Sequence, residues 1–559
     1  MMKPLSFFCR IALPLVFVVA IFTGAPHAAL AFNPTVTAQP VIGRLVYMHQ
    51  VDMRFAPQSK YIPMTREGEM PFLVGVSPSL WYLRKQAARH NPMAPYDAHA
   101  FPGNYDLSPN TPRASVMFDG MANSASICQY FGGCEPPDMA VAASSSFEVQ
   151  AVNTSVAVYD PTGAIQPGWP KNSQVFFNVP NPGSCDPNGP FNSDPRAIYD
   201  PTDGHYWVTM LQVEGAFGIN SCPLQSLYWV AVTQTTDPNG TWNVYAFDMT
   251  FGAHNAADYT QIGLDKRAFY FGGNMFNSGG SAYLYDEIFA ASKAGMEAGS
   301  TVTAHGLKNI KVGSTLLDTV QPVVAEGRSA PAGLFVSAFN MNSDCSNACT
   351  GINVLAMAHA LTSPTLTVQT ATSMNYSVPP NADEPGCSQC VETLDTRISA
   401  TPVYSKGNIW FALGTGANNG SGGTVPGVMW GEIAPTFSGT SLTAATMVQN
   451  GVLSFTGDRD ASFGAPMPDK AGNMIMVFDS MSSTLNPSIY FAGRKHTDAL
   501  GMLQNPRLLR MGITATFDGR WGDYEASGYE GPTTNRIWMA SEYSPSNGDW
   551  ASELGATKF

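Results

Sequence analysis

A strand–turn–strand pattern recurs along this chain at nearly constant spacing, and this repetition limits the folds open to it. In residues 194–210 a short apolar run ends at Tyr199, residues 200–204 supply the turn, and a β-prone aromatic run begins at His205. The corresponding second runs begin at Phe147, His205, Ala268, Leu334, Ile409, Met474 and Arg536, which lie 58, 63, 66, 75, 65 and 62 residues apart. Such regular spacing of β elements predicts radial or linear repetition.

The second runs are apolar at most positions, which indicates sheets covered on both faces. Residues 206–211, 269–276, 409–413 and 474–478 lack the polar–apolar alternation of a half-solvated sheet. In a β-propeller each blade is covered by its neighbours, and about 60 residues hold four strands with their loops. With 52 Gly and 42 Pro, the composition is all-β. We predict an all-β, seven-bladed β-propeller; six or eight blades remain alternatives because the repeat at Leu334 is weaker.

The N-terminal part sets the predicted domain boundaries. Residues 1–31 have the basic start, short apolar run and small-residue cleavage pattern of a signal peptide. Residues 32–113 are predicted to be an extension, mostly irregular, with one strand-like run at 41–51 and one helix at 79–90. Residues 114–559 are predicted to form the propeller. Because only 23 residues follow Arg536, we expect residues 114–118 to complete the last blade from the other terminus.

Cysteine usage supports export. Cys9 leaves with the signal peptide, and an even number of cysteines in an exported chain predicts disulfides. The eight candidates are Cys128, Cys134, Cys185, Cys222, Cys345, Cys349, Cys387 and Cys390. Neighbouring positions suggest the pairs 128–134, 345–349 and 387–390, and Cys185 and Cys222 would then flank one hairpin on the same side. The 387–390 pair also matches a redox C-x-x-C motif, but no thioredoxin-like βαβ pattern surrounds it.

The charge balance excludes some partners. The formal net charge is −13 and only 13% of residues are charged, which makes binding to a nucleic-acid backbone a poor hypothesis. No second run of about 18 apolar residues follows the signal peptide, so we predict no membrane span. The sequence therefore predicts a secreted protein, extracellular or periplasmic, and it leaves the oligomeric state open.

A carboxylate precedes or opens the first run of every repeat. These residues are Asp138, Asp194, Asp258, Glu326, Asp395, Asp460 and Asp523. If the first runs are inner strands, these groups gather near one mouth of a central channel. The predicted ligand-binding residues are Asp194, Arg196, Asp258, Tyr259, Asp395, Arg397, Asp523 and Tyr524. A structural alternative is that each Asp bonds nearby backbone N–H groups and fixes its turn.

No cofactor motif stands out. Asp186, Asn188, Asn192 and Asp194 cluster oxygen atoms that Ca²⁺ could use, but a turn held by Asx hydrogen bonds explains the same pattern. The sequence assigns no metal ligand, no cofactor and no catalytic residue.

Several segments resemble a group of secreted bacterial proteins of unassigned activity with propeller-like repeats. The matching segments are Pro136-Pro137-Asp138, Pro167-Gly-Trp-Pro170, Ser193-Asp-Pro-Arg196 with Tyr199-Asp200, Asp258-Tyr259 with Gln261-Ile-Gly263, and Arg520-Trp-Gly-Asp-Tyr524. The group's usual Asn-Gly turn after Pro-Pro-Asp is replaced here by residues 139–143. The resemblance implies the fold and export, and no reaction.

A looser likeness is to sialidase-type propellers, although their S-x-D-x-G-x-T-W box is absent. It implies an arginine cluster, an acid and a tyrosine activated by a glutamate. The matching candidates are Arg196, Arg397 and Arg494 or Arg520; Asp194 or Asp258; and Tyr524 with Glu542 or Glu525. Two hypotheses follow: a binding propeller for an extracellular glycan or peptide, or a glycan-cleaving enzyme that uses the same mouth.

Overall fold

A computed structural model describes residues 35–58, 73–74, 76–103, 109–123, 136–180, 190–215, 219, 221–325, 330–339, 345, 347–420, 422–516 and 519–559. The predicted signal peptide lies outside this part of the chain, as do Cys128, Cys134, Cys185 and Glu326. The described residues are mostly β-strand, in agreement with the all-β prediction. No helix in the described ranges combines the length and apolarity needed to cross a membrane.

Three elements precede the repeats: β1 Val36–Asp52, α1 Pro78–Ala88 and β2 Val116–Ala122. Helix α1 begins as its sequence predicts, because the Ser77 hydroxyl accepts a hydrogen bond from Leu80 N and Pro78 occupies the first turn. The predicted strand at 41–51 lies inside β1, which is longer at both ends. The extension is therefore less irregular than the sequence predicted.

The first three repeats are four-stranded antiparallel meanders. Repeat 1 contains β3 Ala140–Ala143, β4 Glu148–Val152, β5 Ser155–Tyr159 and β6 Lys171–Asn172, followed by α2 Ser173–Phe177. Repeat 2 contains β7 Phe191–Asp200, β8 His205–Glu214, β9 Gln225–Thr233 and β10 Thr241–Asp248. Repeat 3 contains β11 Ala256–Leu264, β12 Ala268–Phe276, β13 Tyr283–Ser292, α3 Lys293–Glu297 and β14 Ala304–Val312.

Four further repeats follow, and repeat 4 departs from the plan because β17 lies outside its four-stranded sheet. After β15 Thr315–Leu316, repeat 4 contains β16 Gln321–Pro322, β17 Val324–Ala325, β18 Gly333–Ala338, β19 Ile352–Ala358 and β20 Thr365–Ala371. A small hairpin of β21 Ala382–Glu384 and β22 Cys387–Val391 precedes repeat 5, which contains β23 Val403–Ser405, β24 Asn408–Asn418, β25 Thr424–Ser438 and β26 Ser441–Leu453. Repeat 6 contains β27 Ser462–Pro468, β28 Met474–Ser482, β29 Leu485–Arg494 and β30 Arg507–Arg510. Repeat 7 contains β31 Ala526–Tyr529, β32 Ile537–Tyr543, β33 Ala551–Thr557 and, from the N-terminal side, β2.

The last repeat is completed by a strand from the opposite end of the described chain. Strand β2 pairs antiparallel with β33, with Val116 opposite Ala556 and Phe118 opposite Leu554. The pairing predicted for residues 114–118 is thus present from Val116 onward. It supplies the fourth strand that the residues after Arg536 are too few to provide.

The first strands of neighbouring repeats contact one another around a common axis. Contacts join β3 to β7, β7 to β11, β11 to β17, β17 to β23, β23 to β27, β27 to β31, and β31 back to β3. Strand β17 forms parallel pairs with both of its neighbours, with Leu264 opposite Val324 and Val324 opposite Val403. First and last repeats are therefore neighbours in space.

Apolar clusters fill the spaces between neighbouring sheets, which explains why the second runs do not alternate. Between repeats 2 and 3 the ring of Trp207 stacks on that of Phe269, with centroids 4.7 Å apart. Between repeats 3 and 4 Tyr270 packs edge-on against Phe335. Similar clusters join the other adjacent pairs, including repeats 7 and 1. Burial of apolar area on both faces is the main stabilising term here.

Strand β1 belongs to two repeats at once. Its first half pairs with β14 of repeat 3, and its second half pairs with β10 of repeat 2. Tyr47 stacks on Trp229 of repeat 2 at a centroid distance of 5.7 Å. The extension therefore packs against the main body and covers two outer strand edges that would otherwise be exposed.

Candidate functional site

Each of the first six repeats has one non-glycine residue with left-handed backbone conformation in or before its first strand. These residues are Asp138, Asp194, Tyr259, Thr319, Leu394 and Phe463, with φ between 45° and 54°. Bulges interrupt the pairing at three of these places, in β7, β11 and β27. A bulge re-aims side chains and is common beside functional sites. Here the bulges bend the strand entries that carry the predicted carboxylates.

Hydrogen bonds connect three of these entries across repeats 7, 1 and 2. Asp138 Oδ1 accepts a hydrogen bond from Asp523 N at 2.8 Å, and its Oδ2 accepts one from Asn153 Nδ2 at 3.0 Å. The Asn153 Oδ1 atom accepts in turn from Asp194 N at 2.8 Å. Asp138 therefore serves as a structural bridge, which agrees with the backbone-bonding alternative for that residue.

Arg196 lies between two buried tyrosine rings. Its guanidinium carbon is 3.3 Å from the Tyr524 centroid and 5.6 Å from the Tyr259 centroid. Its Nε donates to Thr260 O at 3.2 Å and its Nη1 to Ser399 O at 3.1 Å. Such cation–π contacts gain strength where water is excluded, so Arg196 joins repeats 2, 3 and 5.

Asp395 and Arg397 form a buried ion pair. Arg397 Nε and Nη2 donate to the two carboxylate oxygens of Asp395, each at 2.9 Å. The exposed fraction is 4% for Asp395 and 2% for Arg397. The Arg397 guanidinium also lies 4.4 Å from the Tyr259 centroid. Bidentate geometry of this kind is the strongest form of arginine–carboxylate pairing.

Helix α1 brings a buried lysine to the same region, which sequence reasoning missed. Lys85 Nζ lies 2.9 Å from Glu392 Oε1 and donates to Leu394 O at 2.6 Å. Burial lowers the pKa of Lys85, although Glu392 and Asp395 act in the opposite direction. The helix pattern at 79–90 predicted the element but gave no sign of its docking site.

Asp258 and Asp523 are the two partly exposed members of the predicted set. Asp523 Oδ1 accepts a hydrogen bond from Arg520 Nη2 at 3.1 Å. The carboxylate of Asp258 accepts no hydrogen bond from any residue in the described ranges. The other six predicted residues are buried. A ligand at this mouth would therefore meet Asp258 and Asp523 first.

The acids at the mouth separate into two electrostatic classes. Burial, followed by the charges of Asp194 and Asp523, raises the pKa of Asp258 well above its usual range. Burial and the charge of Asp523 likewise raise the pKa of Asp194. Burial would also raise the pKa of Asp395, but the charge and hydrogen bonds of Arg397 outweigh it and hold that pKa below its usual range.

The tyrosine arrangement implied by the sialidase likeness does not form. The Tyr524 hydroxyl donates to Pro195 O at 2.9 Å, and the Tyr259 hydroxyl donates to Asp523 O at 3.2 Å. The proton of Tyr524 is therefore directed to a backbone carbonyl and not to Glu525 or Glu542. Arg494, an alternative member of the arginine cluster, has its guanidinium 5.8 Å from the Trp430 ring centroid and bonds Asp498 O.

A narrow channel lies beneath the mouth. Its walls come from the first strands of repeats 1–3 and 5–7 and from β17 of repeat 4, and its volume is about 50 Å³. Lining residues include Val141, Ile198, Leu264, Val324 and Val403, so its walls are largely apolar. Arg196 and Glu525 also line it, which connects the channel with the polar mouth.

A second acidic group lies near the β7–β8 turn and already contains the ammonium group of Lys293. Asp203, His205 and Glu297 place oxygen and nitrogen atoms close enough to hold an ion. However, Lys293 Nζ pairs with Asp203, and it lies 3.4 Å from Glu297 Oε1. The ammonium group therefore already pairs with two of the three possible ligands, and we assign no metal site here.

Two of the predicted disulfides are present: Cys345–Cys349 and Cys387–Cys390. Cys222 is also disulfide-bonded, while Cys185 lies outside the described ranges.

We predict that mapping of peptides under non-reducing conditions will recover a Cys185–Cys222 pair. In the chain-entropy model, a disulfide that closes a loop of this length stabilises the folded state by about 3–4 kcal/mol. Recovery of Cys185 as a free thiol or with another partner would contradict the prediction.

Neither protein-family models nor curated protein sequences match this chain. Among solved structures, the Trypanosoma rangeli sialidase is 12% identical with a TM-score of 0.34 over 72% of this chain and 57% of that one. The parainfluenza virus 5 hemagglutinin-neuraminidase ectodomain is 10% identical with a TM-score of 0.37 over 68% and 84%. The GH43 endo-arabinanase from Bacillus licheniformis is 12% identical with a TM-score of 0.27 over 66% and 97%. The chain thus spans little more than half of the sialidase, and no residue role is transferred from these proteins.

Proposed function

We propose that the chain is exported, folds as a closed seven-bladed β-propeller, and binds a neutral extracellular glycan at the mouth around Asp258 and Asp523. The observation that carries the proposal is the Asp258 carboxylate. It is partly exposed, crowded by other acids, and without a hydrogen-bond donor in the described part of the chain. A group of this kind is costly to keep unless a ligand or solvent satisfies it.

The surrounding charges favour a neutral ligand over an anionic one. Arg397 is committed to Asp395, and Arg520 donates to Asp523. Arg196 donates to two backbone carbonyls through Nε and Nη1. Its Nη2 has no hydrogen-bond partner in the described part of the chain, but the side chain is buried. An anionic sugar would need guanidinium groups that are free to bind its carboxylate. Sugar hydroxyls, in contrast, can donate to ionised carboxylates and accept from protonated ones. A peptide ligand is the alternative occupant.

Replacement of Asp258 should separate ligand contact from scaffolding. We expect Asp258→Asn to weaken glycan binding by about tenfold or more, because a buried polar group left without its hydrogen-bond partner costs about 1–3 kcal/mol. Binding is measured on a glycan array and then by calorimetry with the best hit. Asp119→Asn is the matched control, since Asp119 is exposed on β2 and its carboxylate pairs with Arg510.

Two results would contradict the proposal. One is a wild-type protein that binds peptides but no glycan on the array. The other is an Asp258→Asn variant that binds the same glycan as tightly as the wild type. The first result would replace the glycan with a peptide as the ligand, and the second would mean that Asp258 is scaffold.

A glycan-cleaving enzyme is the second candidate, and the raised pKa of Asp258 is the observation that favours it. A general acid must hold its proton at working pH, while a nearby carboxylate stays ionised. If Asp258 is that acid, hydrolysis should fall as the pH rises through its raised pKa, and Asp258→Asn should abolish it. A hydrolysis screen run on the array hits distinguishes the two functions.

A further inference from the structure

Three buried carboxylates meet at the contact between repeats 6 and 7, and one of them, Glu525, directly follows the predicted binding residue Tyr524. Asp479 lies on β28, Glu525 immediately precedes β31, and Glu542 lies on β32. One oxygen of each lies within 4.8 Å of the other two. All three side chains are buried, with exposed fractions of 2% or less. Three carboxylates this close together and this deeply buried cannot all be ionised without a counter-charge.

The surroundings supply hydrogen bonds to Asp479 and Glu542. Asp479 Oδ2 accepts from Trp521 Nε1 at 3.1 Å and its Oδ1 accepts from Ser541 Oγ at 2.6 Å. Glu542 Oε1 accepts from Gly522 N at 2.5 Å. Neither Asp479 nor Glu525 forms an ion pair with any lysine or arginine in the described ranges.

Glu525 provides the independent sign of a ligand. Its exposed fraction is 2%, yet no N–H or hydroxyl group in the described part of the chain donates to either of its carboxylate oxygens. Asp479 can be its hydrogen-bond partner only through a proton that the two acids share. The carboxylate of Glu525 lies beside those of Asp479 and Glu542. Glu525 also lines the central channel, which gives an entry path from the mouth.

We infer that Asp479, Glu525 and Glu542 bind a calcium ion that joins repeats 6 and 7. An all-oxygen donor set selects a hard cation. Calcium–oxygen distances of about 2.4 Å allow ligand atoms to lie no more than about 4.8 Å apart, as they do here. Magnesium usually retains several water molecules, and these buried carboxylates leave little space for them.

The ion would stabilise the repeat that is assembled from both ends of the described chain. Glu542 lies on β32, which pairs with β33, and β33 pairs with the closing strand β2. Asp479 belongs to the preceding repeat. A cation shared by β28, β32 and the entry to β31 would therefore fix repeat 7 against repeat 6. Because the ion binds only the folded arrangement, it should raise thermal stability by mass action.

The test uses the mature full-length protein, stripped with a calcium chelator at neutral pH. We expect about one calcium per chain by elemental analysis before stripping. Titration with CaCl₂ should show a single site and raise Tm by several degrees, with a smaller effect of MgCl₂. Glu525→Gln should weaken calcium binding by more than about tenfold. Replacing a residue that only hydrogen-bonds to a metal ligand already lowers metal affinity by about tenfold or more, and a direct ligand should matter at least as much.

Glu148→Gln is the matched control. Glu148 is fully buried on β4, and neither of its oxygens has a hydrogen-bond partner in the described ranges, but it lies outside the three-carboxylate group. The control should keep wild-type calcium affinity. If Glu525→Gln fails to fold, the calcium content and the calcium-dependent Tm of the wild type decide alone.

The inference would be overturned if the wild-type protein contains no bound metal and its Tm does not change at saturating CaCl₂. In that case the three carboxylates are held by shared protons, and Glu525→Gln should leave Tm unchanged or higher at neutral pH. A magnesium response without a calcium response would overturn the assignment to calcium. Glycan binding is measured separately, so failure here leaves the proposed function untouched.

Discussion

Arg397→Ala is expected to lower the free energy of unfolding by about 3–5 kcal/mol, the usual cost of removing one partner from a buried ion pair. Both partners are nearly inaccessible to water, and Asp395 would lose two hydrogen bonds of 2.9 Å. The remaining carboxylate keeps the hydrogen bond from the backbone N–H of residue 397 and the charge of Lys85, which compensate it less than the guanidinium does. Urea or guanidinium unfolding, with the midpoint and slope fitted together, measures the change.

A double replacement separates the cost of an orphaned charge from the value of the pair. Asp395→Leu combined with Arg397→Met removes both charges and keeps similar volume, so most of the stability should return. A double variant as unstable as Arg397→Ala would mean that the cost comes from lost packing against Tyr259 instead.

The same pair should make the protein sensitive to acid. Because Arg397 holds the pKa of Asp395 below its ordinary value of 3.8, the pair contributes fully above about pH 4. Its contribution should disappear as the pH falls through the lower pKa of the folded state. Arg397→Ala should therefore lose less stability than the wild type between pH 5 and about pH 2. Equal acid losses in the two proteins would contradict this assignment.

The sequence was informative about elements whose signals are local. The predicted second runs begin within one residue of the observed strands in all seven repeats, as for His205, Ala268 and Met474. Aromatic and β-branched runs bounded by Gly, Pro and Asp carry this signal. The closing strand was also predictable, because the residues left after Arg536 were too few for a full repeat.

The double pairing of β1 could not be predicted. Its residues have ordinary strand propensity, and nothing in the sequence indicates which two outer strands they meet. The roles of Arg196 and Arg397 were similarly hidden. Their spacing from Asp194 and Asp395 was visible, but burial decides whether such a pair binds a ligand or supports the fold. That depends on neighbours more than 60 residues away in sequence, such as Thr260 and Ser399.

Residues with left-handed backbone conformation give a second local signal in the sequence. Asp and Asn tolerate positive φ better than most residues, so an Asp at the same place in successive repeats is compatible with a bulge. Asp138 and Asp194 fit that rule, whereas Tyr259 and Phe463 do not. In contrast, the contact between repeats 6 and 7 brings together Asp479, Glu525 and Glu542. Their spacing in the sequence does not predict this cluster.

Trp207→Ala is expected to cost about 3–5 kcal/mol, the range for removing a large aromatic side chain from a packed core. Trp207 is fully buried on β8, and its ring stacks on Phe269 of the next repeat at an interplanar angle of 9°. The lost contacts therefore lie between repeats 2 and 3. Trp207→Phe, which keeps an aromatic ring at this place, should cost clearly less.

The distribution of this effect tests ring closure. In an open array each repeat depends on its nearest neighbours, so damage at one contact should loosen repeats 2 and 3 while distant repeats stay protected. In a closed ring every repeat has two packed neighbours, and the contact of β31 with β3 leaves no free end. We therefore expect hydrogen exchange measured by mass spectrometry to accelerate in peptides of repeats 5 and 6 as much as in those of repeats 2 and 3. Faster exchange confined to repeats 2 and 3 would contradict a cooperative closed propeller.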